Sequence, residues 1–186
     1  RRLDLMNSKY GLVCVSKILQ EEDQDNSFVG ISRKAYTDLS SQQGDEAALN
    51  KLKEEILHNL KLTVKIIDFC RDSGIDHYRL NTSIFGLLAD PSFGISFQDL
   101  PDKDELMSVI REIWRTSITK GVSLSIQPDK FCKLIDDDED VVEKSIKEID
   151  FYSWFLKKIM ILIAILLIGF MRTLKGSLHL PKKDWY

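Results

Sequence analysis

Cysteine pairing is missing from this chain. Its three cysteines, Cys14, Cys70 and Cys132, are far apart and form no Cys-x-x-Cys motif, which argues against a disulfide framework or a structural zinc knuckle and fits a reducing cytoplasm. No Gly-x-Gly-x-x-Gly or Walker loop follows any strand-like run, so no nucleotide cofactor is expected. The formal charge of -3 gives no global pull toward a polyanion. Any contact with nucleic acid must therefore come from a local basic patch. Histidine is scarce as well. His58 falls on a helix, His77 at the entry to a strand and His179 in the tail, so each is read as structural or surface rather than as part of a metal cluster. Long apolar runs are also lacking: the longest, Ile159 to Met171, falls short of the roughly 20 residues a bilayer requires. Residues 1–8 are read as an extension, either upstream translation or a cloning remnant ahead of Met6, with no signal peptide expected.

What remains is the composition of a soluble globular protein, with 44% hydrophobic and 30% charged residues over 186 positions. That length suits one ordinary domain or a large fragment of a barrel. Tyr10 to Val15 is a short β-rich run that predicts a first buried strand. The polar segment from Lys17 to Gly44, with Ser32-Arg33-Lys34 as its basic cluster, is expected to be a long connection. Leu49, Leu52, Ile56, Leu60, Val64 and Ile67 then recur at helical spacing, and Asp72-Ser73-Gly74 reads as a helix end. His77 to Leu80 is the second strand. A helix from about Pro101 is expected to bury Leu106, Ile110, Ile113, Trp114 and Ile118 and to stop at Gly121, before a third strand, Val122 to Ile126. The acidic run Asp136 to Asp140 suits the entrance of a third helix, through Val141, Val142, Ile146 and Ile149.

This alternation predicts an α/β fold built of parallel strand-helix units. In such folds the loops leaving the carboxyl ends of the strands carry the site. The segments after Leu80 and Ile126, each holding a carboxylate and a proline, are therefore where function is sought. Beyond Lys158 the composition changes. Residues 156–186 are read as an anomalous tail: a fourth strand with part of a helix, a membrane-associating segment with basic flanks, or translation out of frame.

Taken together, Tyr10 to Ser16, His58-Asn59-Leu60, Gly74 to Leu80, Ile84-Phe85 through Asp90-Pro91, Asp99-Leu100-Pro101, Gln127-Pro128-Asp129-Lys130-Phe131 and Val141 to Glu148 resemble, in order and spacing, the UV DNA damage endonuclease family of bacteria, fungi and phages. The resemblance covers residues 9–155 and implies the N-terminal half of a TIM barrel, xylose-isomerase-like or endonuclease IV-like, with the first three to four strand-helix units. It further implies a metal-dependent DNA repair endonuclease that nicks damaged double-stranded DNA 5′ to a UV photoproduct or abasic site, with Mn or Mg as the divalent metal.

Carried over by position, the resemblance implies metal ligation at Asp90, and at Gln127 where the family has a histidine. An amide is a poor replacement for an imidazole. It implies lesion or DNA contacts at Lys130, which replaces the family's glutamine, and at the aromatic Phe131. Leu12 and Ser16 stand where some members place a tyrosine and an asparagine. Arg79, beside the strand end, is a candidate to orient a carboxylate or a phosphate. Ligands from later strands have no counterpart here. The expectation is therefore a truncated and impaired homologue, with a non-catalytic damaged-DNA or partner-binding descendant as the alternative and a membrane-associated fragment as the third reading.

Overall fold

The computed structural model describes residues 10–128 and 132–177, with 159–177 described by backbone alone. Strands β1 (Gly11–Val13), β2 (His77–Leu80) and β3 (Ser123–Ile126) form a parallel sheet in the order β1-β2-β3. The register pairs Leu12 with Tyr78 and Val13 with Arg79, then Tyr78 with Leu124 and Leu80 with Ile126. Between them run helices α1 (Lys17–Glu22), α2 (Arg33–Gln43), α3 (Asp45–Asp72) and α4 (Lys103–Lys120), and α5 (Glu139–Ser177) follows β3. The result is a mixed α/β architecture in which three strands form an open sheet. No closed barrel is formed among the described residues.

Side-chain alternation explains which face of the sheet is covered. Tyr78 and Leu80 are buried while His77 and Arg79 are only half-buried, as expected for a strand packed on one side. The covered face meets α3 and α4, which contribute Leu52, Ile56, Leu60, Ile67, Leu106, Ile110, Ile113 and Trp114 to the core. Burying each such side chain contributes about 1.5–3 kcal/mol. The other face carries Gly11, Val13, His77, Arg79, Ser123 and Ser125 and is partly open. Gly121 ends α4 in the left-handed conformation, and Val122 N–H reaches back to Ser117 O at 3.0 Å. That closure turns the chain directly into β3. Gly74 ends α3 in the same way, with Ile75 N–H donating to Cys70 O at 2.7 Å.

Several expectations are corrected. Lys17 to Gly44 is not a structureless connection, since α1 and α2 occupy most of it. Their polarity hid them: α2 buries only Tyr36 fully and rests the half-buried Leu39 on the core. Ile118 is 53% exposed and Ile146 47%. In α4 the inward position is taken by Ser117, whose Oγ donates to Val122 O at 2.7 Å. In α5 the inward stripe runs through Ser145, Tyr152 and Phe155, one step around the helix from Ile146. Among the described residues no fourth strand follows Lys158, because the backbone of 159–177 continues α5. The membrane reading rests on side chains of Ile159 to Met171, which lie outside those described. Among the described residues no helix is long and apolar enough to cross a membrane.

Candidate nucleic-acid interface at the strand ends

The turn leaving β1 is pinned to β2. Cys14, with φ 61°, donates its N–H to Arg79 O at 2.9 Å, and its carbonyl accepts the Tyr78 hydroxyl at 2.9 Å. Burial pushes the Tyr78 phenol well above its ordinary value, so it stays protonated and keeps donating. Burial likewise raises the Cys70 thiol to about 11, which makes it unreactive near neutral pH. Ser16 follows and is buried, with its Oγ accepting from Leu19 N–H at 3.4 Å as the cap of α1. Leu12 is half-buried against the core. Neither first-strand candidate is brought to an open surface.

The segment after β2 forms one wall of a groove of about 740 Å³. Ser83 and Asp90 line it from that segment, Val29 and Ser32 from the segment ahead of α2, and Glu148 and Tyr152 from α5. Sequence reasoning missed what holds the walls. Asn59 of α3, 1% exposed, accepts Val29 N–H at 2.9 Å and donates to Val29 O at 2.8 Å and to the carbonyls of Ser83 and Ile84 at 3.2 Å each. One buried amide therefore satisfies backbone from both walls. Its neighbours extend the anchor: a His58 ring nitrogen lies 3.0 Å from Ser27 O, and Lys65 donates to Asn26 Oδ1 at 2.7 Å. The signal was present in the sequence as a polar residue inside an apolar helical stripe, between Ile56 and Leu60.

Asp90 lies at the groove rim with all its acceptor capacity engaged. Oδ1 accepts Ser92 N–H at 3.0 Å and Ser92 Oγ–H at 2.7 Å, while Oδ2 accepts Arg33 Nε–H at 3.1 Å and a second bond from Arg33 Nη2. Burial acts to raise the Asp90 pKa, but the Ser92 hydrogen bonds and the Arg33 guanidinium outweigh it and hold the carboxyl below its ordinary range. Arg33 also donates to Ser92 Oγ and lies 5.6 Å above the centre of the Phe93 ring. Tyr36 steadies that ring edge-on at 5.2 Å.

A second arginine occupies the strand-end face. Arg79 Nη1 donates to Gln127 Oε1, the amide just after β3. Beside it the two ring nitrogens of His77 lie 2.8 Å from Ser123 Oγ and 2.8 Å from Ser125 Oγ. The structure thus joins Arg79 with Gln127 and Asp90 with Arg33, in separate hydrogen-bonded groups. Lys130 and Phe131 lie outside the described residues.

A divalent metal does not fit these donors as arranged. The Asp90 oxygens are committed to Ser92 and Arg33, and the carbonyl oxygen of Gln127 faces a guanidinium. No group of three or more His, Cys, Asp or Glu side chains suited to a metal ion occurs among the described residues.

Comparison with known proteins gives a consistent result. The family model described as UV-endonuclease UvdE matches residues 8–168. A protein named putative UV-damage endonuclease, from Acanthamoeba polyphaga mimivirus, is 28% identical over 153 residues, covering 80% of this chain and 42% of that protein. A UV DNA damage endonuclease from Nostoc sp. is 27% identical over 137 residues, covering 74% of this chain and 38% of its own length. The chain spans about two fifths of the length of these relatives.

Proposed function

Because the chain belongs to the UV-endonuclease UvdE family, we propose that it acts on damaged double-stranded DNA, as the strand-helix portion of a repair endonuclease that forms part of the DNA-binding face. The observation that carries this reading is the match over residues 8–168, supported by a groove and two arginines at the carboxyl ends of parallel strands, where α/β proteins hold their ligands. The partial TIM barrel belongs to the same proposal: three parallel strands in sequence order, with helices on one face, are what its opening units require. Metal-dependent nicking 5′ to a photoproduct or abasic site is proposed only for an assembly in which further chain supplies the metal donors, since the Asp90 oxygens are engaged by Ser92 and Arg33. The chain by itself is expected to cleave poorly.

The non-catalytic alternative is favoured by one observation, the engagement of both proposed ligand positions by arginines. The test is a plasmid-nicking and gel-shift series in Mn²⁺ on UV-irradiated and untreated DNA, with the Nostoc enzyme as the positive control. Expected is preferential binding of irradiated DNA with nicking far below that of the control. Equal affinity for irradiated and untreated DNA, with no nicking of either, would overturn the repair reading.

A further inference from the structure

Asp90 and Gln127 are the two positions at which the resemblance implies metal ligands, and each faces an arginine instead. The two pairs differ in charge. Asp90 cancels the charge of Arg33, forming an ion pair in which the Arg33 side chain is 51% exposed and that of Asp90 31%. Gln127 is neutral, so it holds the Arg79 guanidinium in place without cancelling it, and among the described residues Arg79 has no carboxylate partner. Around Arg79 the uncovered sheet face carries uncharged hydroxyls beside His77: Ser123 and Ser125 each lie 2.8 Å from one of its ring nitrogens, and the Ser123 hydroxyl donates onward to Asp76 O at 3.0 Å. Side chains at alternate strand positions stand on one face, so Arg79, His77, Ser123 and Ser125 share the face left open by α3 and α4. Among these side chains there is no carboxylate to repel an anion.

We propose that Arg79, held by Gln127 at the carboxyl ends of β2 and β3, is a phosphate-binding cation for a nucleic-acid backbone, and that it binds the polyanion without a metal ion. The proposal rests on the reading of DNA as the partner and deepens it by naming how the backbone is held. Gln127 is a positioning residue: its carbonyl oxygen fixes one guanidinium nitrogen, and no other side-chain bond engages the fork among the described residues, so its other N–H groups can serve phosphate oxygens. A carboxylate at 127 would hold the arginine equally well but neutralise it.

That difference in sign supplies the experiment. The full chain is titrated into a fluorescein-labelled duplex, irradiated or not, in EDTA and in Mn²⁺, over a range of salt. Binding is expected in EDTA, within about twofold of that in Mn²⁺. Arg79→Ala should weaken it about tenfold and lower the salt slope by about one. Arg79→Lys should keep the slope, which separates loss of charge from loss of fold. Gln127→Glu is the deciding variant. If Arg79 is the cation, it weakens binding about as much as Arg79→Ala in both buffers. If position 127 is instead a metal ligand, a carboxylate in place of an amide strengthens binding in Mn²⁺. Binding that requires Mn²⁺, or a Gln127→Glu gain in Mn²⁺, overturns this proposal and leaves DNA as the partner. No binding in either buffer overturns both.

Discussion

Asn59 has one carbonyl and one amide to offer, and α3 spends both on the backbone of the groove walls. Removing a buried partner leaves the desolvation cost of the groups it served. Asn59→Leu should therefore destabilise the fold by about 2–4 kcal/mol, read as a lower urea midpoint with unchanged slope. An unchanged midpoint would mean that water replaces the amide without loss. Asp90 gives a pH-dependent counterpart. Its carboxyl is held below the ordinary 3.8 in the folded chain, so the unfolded chain binds the proton more tightly. The resulting stability is fully present above the unfolded value and is lost as pH falls below about 4 through the folded value. Asp90→Asn should flatten that part of the pH profile in thermal melts, while leaving the profile near neutrality unchanged. These two residues were unequally legible in the sequence. Asn59 interrupts an apolar stripe and so carried a readable signal, whereas the Arg33 partner of Asp90 lies 57 positions away and no local pattern links them.

At the scale of elements, the segment from Thr82 to Ala89 forms the groove wall as two short 3-10 turns joined at Gly86, where φ is 50° and ψ is -128°. A side chain added there would meet nothing within 4 Å, so any cost of substitution is purely one of backbone. Gly86→Ala should cost about 1–3 kcal/mol and shift the path of Asp90, seen as a lowered urea midpoint. A neutral result would show that the turn relaxes to an ordinary conformation. The strands and long helices were legible because glycine-ended helices with clear apolar stripes lead straight into β-rich runs at His77 and Ser123. α2 was not, because a helix that fully buries a single tyrosine has almost no stripe to read. Its Ser32 cap, with Oγ accepting Ala35 N–H at 3.2 Å, was the available cue.

For the whole molecule, the decisive feature is that, among the described residues, β1 and β3 each have one neighbouring strand and one face of the sheet has no covering layer. Unpaired backbone groups along such edges are templates for other chains. The two relatives are more than twice as long as the stretch they share with this chain, so their architecture has further chain with which to complete a sheet of this kind. Alone in solution, the chain is expected to self-associate as concentration rises, by a route that runs over β1 and the open face. Val13 is the residue that tests this. It sits on the edge strand, is 48% exposed, and stands on the uncovered face beside Arg79. A lysine there adds charge to the edge, the device by which natural sheets resist pairing, and it removes little buried apolar surface. Val13→Lys should therefore reduce association in sedimentation velocity while leaving the unfolding free energy from urea titration within about 0.5 kcal/mol of the parent. Association that persists in the variant would place the contact elsewhere, on the exposed Ile118 or Ile146 of the outer helices. A collapsed midpoint would mean instead that Val13 is buried by a partner strand that the folded chain already requires.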